Sequence, residues 1–273
     1  MGVNKTMKKT IFKFIMGASL LALTYGCSEQ KQATSSDEIN VGVILGFTGP
    51  IESLTPTMAA SAEMAYKEAS DSGKLLGGTT ITVVRADSTC IDAAAATSAA
   101  ERLITSDNVV AIMGADCSGV TTAIANNVAI PNGVTMISPS ATSPALTDIE
   151  DNGYFFRTAP SDARGGEILA QVVLEKGISS VAVTHTNNDY GKGLADSFSS
   201  AYTALGGTVT IDIAHEDGKG DYSAEVGTLS ASGANELVVI GYLDQGGRGI
   251  IQSSIDSGAF SRFVLSDGMI GQS

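Results

Sequence analysis

Short, nearly continuous apolar runs alternate with amphipathic stretches from residue 39 to the end of the chain. The runs are rich in β-branched residues and have the length of strands, which is typical of a parallel sheet covered on both faces. They predict eight strands, at residues 39–45, 79–84, 109–113, 134–137, 180–185, 208–213, 236–240 and 262–266.

Amphipathic helices are predicted between these runs, at residues 55–73, 91–107, 163–177 and 191–207. In the second of them, Asp92 is placed to cap the N-terminus, and Ala95, Ala99 and Leu103 are expected to face inward. Alternation of strand and helix predicts parallel sheets with right-handed crossovers. We therefore expect an α/β chain with two Rossmann-like lobes, residues 39–158 and 159–273, which meet near "YFFRTAPSD".

The first 26 residues have the order of a secretory signal peptide, with basic residues before a short apolar segment that ends in small residues. Cys27 follows Gly26 as in the cleavage box of bacterial lipoproteins, so we expect a lipid anchor at Cys27 and a periplasmic or cell-surface location. The polar residues 27–38 are interpreted as a flexible tether. The alternative is a buried N-terminal helix with an incidental cysteine, and either Met1 or Met7 could be the start.

The chain is acidic, with 29 Asp and Glu residues against 16 Lys and Arg residues and a net charge of −13. Removal of a signal peptide that contains only basic charges makes this balance more negative. A surface of this charge repels nucleic acid and anionic membranes, so neither is expected as a partner. We expect a monomer without a cofactor.

Two further cysteines, Cys90 and Cys117, follow Cys27 in the chain. Because an exported chain folds in an oxidising compartment, a disulfide between them is the default expectation. A metal site is not expected, because neither cysteine has a second ligand at zinc spacing.

Small polar residues follow the predicted strands, and ligands of open parallel sheets bind beyond the carboxyl ends of strands. In the first half these segments offer hydroxyl groups and backbone amides, which bind anions such as a carboxylate. In the second half they add Tyr190, Tyr242, Asp244 and Asp267, and a carboxylate there would bind an ammonium group. The two halves together predict a site for a zwitterion.

An ordered set of motifs extends from residue 39 to the C-terminus: "VGVILGFTGP", "ADSTC", "GADCSGV", "ISPSATSPALT", "YFFRTAPSD", "NNDYGKGLA", "VVIGYLDQGG" and "LSDGM". This set resembles the periplasmic binding proteins for branched-chain amino acids, the type I substrate-binding components of ABC importers. The resemblance implies two lobes joined by a hinge that close on a ligand and deliver it to an ABC permease. Family members continue well beyond "SDGM", so the C-terminal part of the fold is expected to be missing.

The resemblance also implies which first-lobe residues bind the ligand. The hydroxyl groups of Ser118 and Thr142 correspond to those that bind the ligand carboxylate in the family. Ser140 corresponds to a position whose backbone accepts a hydrogen bond from the ligand ammonium group, and Ala141 belongs to the same ligand-binding segment.

In the second lobe, Asp267 corresponds to the acid that neutralises the ammonium group, and Tyr190 and Tyr242 to residues that close over the ligand. Cys90 and Cys117 match the disulfide of the leucine-binding members. Where the family often has an aromatic residue after "TGP", Leu54 is nearest, so the side-chain pocket departs from the family pattern and the ligand side chain stays open.

Other interpretations of these residues remain open. Ser118 and Thr142 could cap helices, Asp267 could be a turn residue, and the tyrosines could be packing residues. His185 and His215 are expected to be structural or solvated.

An enzyme is not expected, and no catalytic residue is assigned, because Ser118 is not in a G-x-S-x-G elbow and no metalloprotease, phosphate-loop or C-x-x-C motif occurs. The sequence thus predicts an extracytoplasmic binding lipoprotein for an amino acid or a close amide analogue. The alternative is a ligand-sensing receptor domain of the same fold that does not take part in transport.

Overall fold

A computed structural model of the chain describes residues 37–271. The predicted signal peptide, the lipidated Cys27 and residues 27–36 of the predicted tether lie outside the described residues. Glu38, predicted as the last tether residue, is the first residue of a strand.

The first lobe contains five parallel strands in the spatial order β2-β1-β3-β4-β5. They are β1 Glu38–Leu45, β2 Thr80–Asp87, β3 Val109–Gly114, β4 Thr135–Ser138 and β5 Phe155–Arg157. The helices of this lobe are α1 Thr55–Asp71, α2 Ala93–Thr105 and α3 Ser118–Ile124. Strand β5 was not predicted, because its three residues lie in the segment interpreted as the junction between lobes.

The second lobe contains four parallel strands in the order β7-β6-β8-β9. They are β6 Ser180–Thr186, β7 Thr208–His215, β8 Glu236–Ile240 and β9 Arg262–Leu265. The helices are α4 Asp162–Glu175, α5 Asp189–Ala204, α6 Ser223–Ser230 and α7 Arg248–Ser257. The predicted boundary between residues 158 and 159 falls between β5 and α4.

Helix α2 begins as the sequence predicts, and its buried face agrees with the prediction at its C-terminal end but not at its first turn. The Asp92 side chain accepts hydrogen bonds from the backbone N–H groups of Ala94 and Ala95, as an N-cap does. The fully buried residues are Ala96, Ala100 and Leu103, and Ala99 is partly buried against the same core. Leu103 and Ala99 therefore face inward as predicted, whereas Ala95 is only partly buried and Ala96 takes the buried position beside it. In a helix with runs of adjacent alanines, the apolar pattern does not distinguish neighbouring faces.

The expectation that every strand is covered on both faces does not hold at the β4–β5 edge of the first sheet. Ile137 and Phe156 are paired across β4 and β5 and are 42% and 50% exposed. The other face of the same two strands is buried, with Met136 paired to Phe155.

Helices α4 and α5 pack in close contact at a glycine. A Cβ atom on Gly166 would lie 2.6 Å from the backbone nitrogen of Phe198 and 2.6 Å from Cβ of Ser197. Because backbone and Cβ atoms cannot move away as a flexible side chain can, only glycine fits here.

Among residues 37–271, no helix has both the length and the apolar character needed to cross a membrane.

We expect Gly166→Ala to lower the free energy of unfolding by about 1–3 kcal/mol, because the added methyl group forces α4 and α5 apart. Gly227→Ala in α6 is the matched control, since nothing lies within 4 Å of its added Cβ. Alanine there should be neutral or stabilise the helix by up to about 1 kcal/mol. Urea unfolding of both variants checks this prediction, and equal stability of the two would contradict it.

Candidate binding cleft

The loops that follow the strands of both lobes meet around a cavity of about 150 Å³. Six of the seven predicted ligand-binding residues line this cavity: Ser118, Ser140, Thr142, Tyr190, Tyr242 and Asp267. The seventh, Ala141, is fully buried and is not among the lining residues. Asp244, predicted only as a strand-end acid, lies outside the cavity and pairs with Arg248 at 2.8 Å. The structure therefore brings the predicted anion-binding and cation-binding residues together.

A buried carboxylate organises the first-lobe side of the cavity. Asp116, which is 2% exposed, accepts hydrogen bonds from the N–H groups of Gly46 at 2.7 Å and Cys117 at 3.0 Å. The Ser88 hydroxyl also donates to it, at 3.2 Å. Burial raises the pKa of Asp116, and these donors oppose that change by stabilising the charged form. The carboxylate thus joins the loops that follow β1, β2 and β3.

The disulfide reinforces the same connection, since the structure joins Cys90 to Cys117. Both residues are 4% exposed. Cys117 lies between Asp116 and Ser118 and lines the cavity, so the bond holds the loop after β2 against the start of α3.

Serine hydroxyl groups attach the segment 138–143 to the loop after β3. The Ser118 hydroxyl accepts hydrogen bonds from the N–H groups of Thr142 at 3.2 Å and Ser143 at 3.1 Å. The Ser140 hydroxyl donates to the carbonyl of Asp116 at 3.0 Å. Ser118 therefore bonds across to another segment instead of capping its own helix, and its own O–H proton remains for an anion.

In the second lobe, Tyr190 orients the predicted cation-binding carboxylate. Its hydroxyl donates to Asp267 at 2.6 Å, accepts from the N–H of Gly268 at 3.2 Å and lies 3.0 Å from the Ser266 hydroxyl. The ring stacks on Tyr242 with 5.3 Å between centroids. Burial and the Asp267 charge raise the pKa of Tyr190, so it stays a neutral donor.

The cleft has a strongly negative environment. Burial raises the pKa of the Tyr242 hydroxyl most, and four neighbouring carboxylates raise it further: Asp116, Asp217, Asp267 and Asp162. Among the described residues that line the 150 Å³ cavity, two are acids and none is Lys or Arg. Such a site favours a ligand with a positively charged group.

Sequence reasoning missed Asp162, which the structure places beside the cleft. It is 7% exposed and lines a neighbouring cavity of about 560 Å³ together with Ser140, Thr142 and Asp267. Burial raises the pKa of Asp162 to about 6; the Asp267 charge adds to the rise, while Thr142 and Arg157 oppose it. In the sequence, Asp162 follows Ser161 at the start of a helix, where an acid usually has a local role at the N-terminus.

Within the part of the chain that the structure describes, no group of three or more His, Cys, Asp or Glu side chains could hold a metal ion. His215 is 1% exposed and lies 2.9 Å from the Thr184 hydroxyl, the structural role that the sequence predicts.

The family profile for periplasmic binding proteins matches residues 38–265, which include both sheets. The chain belongs to the periplasmic binding protein family. Its α/β fold with two parallel sheets is that of the type I members, as the sequence predicts.

Two of the similar proteins are named for binding of branched-chain amino acids, and a third was solved with an aromatic acid. Leu/Ile/Val-binding protein homolog 1 of Brucella melitensis is 29% identical over 97% of this chain and 68% of its own length. The branched-chain amino acid transporter substrate binding protein LivJ of Streptococcus pneumoniae, solved with isoleucine, is 29% identical with a TM-score of 0.72 over 85% of this chain and 65% of its own. A solute binding protein of R. palustris, solved with 4-hydroxybenzoate, shares the fold at 22% identity and a TM-score of 0.72 over 86% of this chain and 63% of its own.

This periplasmic binding protein therefore spans about two thirds of the length of the relatives it matches. Ile51, Leu54 and Met58 give the 150 Å³ cavity an aliphatic wall, and Leu54 is the residue that the sequence offers where the family often has an aromatic one.

Replacement of Cys90 and Cys117 by serine should lower the free energy of unfolding by about 3–4 kcal/mol, because the bond closes a loop between residues 27 positions apart. Urea unfolding without reductant measures the difference. Cys27→Ser is the control and should leave stability unchanged. Free thiols at residues 90 and 117 in the native protein, detected by alkylation and mass spectrometry, would contradict the prediction.

Asp162→Asn should make the protein more thermostable than the wild type at pH 7.5, and this advantage should shrink toward pH 4. The pKa of Asp162 rises from 3.8 to about 6 on folding, so the folded wild type binds the proton more strongly and loses stability as pH rises through that window. Thermal unfolding between pH 4 and 8 measures this, with the exposed Asp148→Asn as control. An advantage that is constant across this range would contradict the prediction.

Proposed function

We propose that this chain is the ligand-binding part of an extracytoplasmic lipoprotein of an ABC importer, which captures a branched-chain type amino acid or a close amide analogue. The observation that carries this proposal is the cavity between the lobes. The side chains of Ser118 and Thr142 line it from one lobe, and the carboxylate of Asp267, oriented by Tyr190, lines it from the other.

The two ends of an α-amino acid fit these two groups. Its carboxylate accepts hydrogen bonds from the hydroxyl groups of Ser118 and Thr142, and its ammonium group pairs with Asp267 and with the backbone carbonyl of Ser140. Hydrogen bonds to charged groups contribute about 1.5–3 kcal/mol each, so these contacts dominate recognition of the two ends.

The remaining wall of the cavity suits an aliphatic side chain. Ile51, Leu54 and Met58 offer apolar surface from the loop after β1 and from α1. Burial of apolar ligand surface against them contributes about 25 cal/mol per Å².

The placement of these contacts supports closure of the hinge on the ligand. A ligand that touches Thr142 in one lobe and Asp267 in the other binds the closed form better than the open form, and so shifts the population toward it. The ABC permease would then recognise the closed form. Lipidation of Cys27 would hold a monomeric receptor at the membrane, with residues 27–38 as the tether.

Calorimetric titration of the full chain with leucine, isoleucine, valine, leucinamide, benzoate and 4-hydroxybenzoate tests the proposal. We expect at least one amino acid or its amide to bind and the two aromatic acids to bind far more weakly, because those acids have no cationic group to pair with Asp267. Binding of the aromatic acids alone would overturn the proposed ligand class.

Thr142→Val should weaken binding of the best amino acid about tenfold, because it removes a hydroxyl that donates to the ligand carboxylate while it preserves the side-chain shape. Thr142→Ser retains the hydroxyl and is the matched control, with affinity close to wild type. Titration calorimetry measures both. Equal affinities of the Val and Ser variants would remove the Thr142 hydroxyl from the site.

A further inference from the structure

The small cavity of the proposed site has a negative lining on which the carboxylate of an amino acid has to bind. Among its described lining residues, Asp116 and Asp267 are acids and none is Lys or Arg. Because like charges repel, such surroundings disfavour a bound carboxylate. One arginine outside the cavity, Arg157 of β5, contacts the segment 138–143 that forms the wall proposed to hold this carboxylate.

The Arg157 guanidinium is directed at oxygen atoms of this region and not at an acid. Its Nη1 atom donates to the carbonyl groups of Ser143 at 2.8 Å and Ala141 at 3.3 Å, and Nη2 donates to the Thr147 hydroxyl at 2.5 Å. Among the described residues, no carboxylate forms an ion pair with it within 4 Å. Burial lowers the pKa of Arg157 and the charge of Asp162 opposes this change, but an arginine keeps its charge in a protein.

One peptide group connects this cation to the Ser118 hydroxyl. The carbonyl of Ala141 accepts from Arg157, and the N–H of Thr142, the other end of the same trans peptide group, donates to Ser118 at 3.2 Å. Because a peptide group is planar and resonance-stabilised, a cation at its oxygen withdraws electron density from its nitrogen. The N–H of Thr142 is therefore a stronger donor than it would be without Arg157.

The next peptide group repeats this pattern with a different source of positive charge. The Thr142 carbonyl accepts from the backbone N–H of Asp162, at the start of α4, at 2.9 Å. The N–H of Ser143, which belongs to the same peptide group, donates to the Ser118 hydroxyl at 3.1 Å. The N-terminus of a helix carries a partial positive charge. Both hydrogen bonds that Ser118 accepts thus come from peptide groups whose carbonyl groups face positive charge.

Ser118 is the residue at which these two chains of hydrogen bonds meet. It is 2% exposed and lines the small cavity. A hydroxyl oxygen has two lone pairs, and both are used by N–H groups of the segment 138–143, so its proton is left to donate. A hydroxyl that accepts from polarised donors is itself a stronger donor. The charge of Arg157 therefore acts on the cavity through Ser118.

We propose that Arg157 is a positioning residue for the carboxylate end of the ligand, which it stabilises through the peptide group between residues 141 and 142 and the Ser118 hydroxyl. The inference rests on the proposed function and deepens it, because it assigns the preference between the two proposed ligand classes. Hydrogen bonds to a charged acceptor are stronger than those to a neutral one. A strengthened Ser118 donor hence favours the carboxylate of an amino acid over the neutral carbonyl of its amide.

Three probes of nearly the same shape test this role. Leucine and 4-methylpentanoate have a carboxylate, and leucinamide has a neutral amide in its place. Each is titrated calorimetrically into the full chain as wild type, Arg157→Gln, Arg157→Lys and Arg262→Gln, and thermal unfolding establishes that each variant is folded. Arg262→Gln is the matched control, because it removes the same charge from an exposed ion pair with Glu236.

We expect Arg157→Gln to weaken leucine binding about tenfold and leucinamide binding only about twofold, because the neutral acceptor gains less from the strengthened donor. Arg157→Lys retains the charge and should restore part of the affinity for leucine. Arg262→Gln should bind both probes as the wild type does. A general loosening of the segment 138–143 would instead weaken both probes by the same factor.

A Ser118→Ala background separates transmission through the hydroxyl from an effect of the charge through space. In that background, Arg157→Gln should weaken leucine binding by less than about twofold, because the group that transmits its effect is absent. A charge that acts through space would lower the affinity by the same factor in both backgrounds.

The outcomes distinguish this inference from the function on which it rests. Equal losses for leucine and leucinamide in Arg157→Gln, or a loss that is additive with Ser118→Ala, overturn the inference and leave the proposed function standing. Wild-type binding of leucinamide without binding of any carboxylate does the same. Binding of 4-methylpentanoate that depends on Arg157, without binding of leucine, isoleucine, valine or leucinamide, supports the inference and overturns the proposed function. Binding of none of these ligands overturns both.

Discussion

The carboxylate of Asp116 is the contact on which the first-lobe half of the cleft depends. It is buried and accepts hydrogen bonds from groups that follow three different strands, Gly46, Ser88 and Cys117. A buried charge is tolerated only with such donors. If the three loops moved apart, the Asp116 carboxylate would become exposed or would lose its hydrogen-bond donors. Ser118 is thereby placed to accept hydrogen bonds from the N–H groups of Thr142 and Ser143, so the position of segment 138–143 depends on Asp116.

In the second lobe, the carboxylate of Asp267 lines the cavity and is held by an uncharged tyrosine rather than by a basic side chain. Tyr190 holds Asp267 by a hydrogen bond from an uncharged donor, and its ring stacks on Tyr242. Asp162 is held nearby with an oxygen unpartnered. Burial and mutual repulsion raise the pKa of Asp162, so this accumulation of acids costs stability at neutral pH. Perturbed carboxyl groups in a cleft are typical of binding sites for this reason.

Much of the fold could be predicted because the buried strands of a parallel sheet have nearly continuous apolar sequences. Eight of the nine strands in the described residues were predicted within a few residues of their bounds. The missing one, β5, has three residues, too few for a pattern to be distinguished from a loop. In α2, Ala95 was predicted where Ala96 is buried, because adjacent alanines carry no information on which of them is buried.

By itself, the sequence determined the alternation of strands and helices, and therefore which segments meet at the carboxyl ends of the sheets. Hydroxyl groups in one half and an acid in the other were sufficient to predict a cleft with two chemically different sides. Only the tertiary structure decided which polar atoms already have a hydrogen-bond partner and which do not. The Ser118 hydroxyl accepts hydrogen bonds from residues 24 and 25 positions away, and the Tyr190 hydroxyl donates one to Asp267. One carboxyl oxygen of Asp162 has no hydrogen-bond partner among the described residues. Which partners meet depends on packing between distant segments, and no local pattern encodes it.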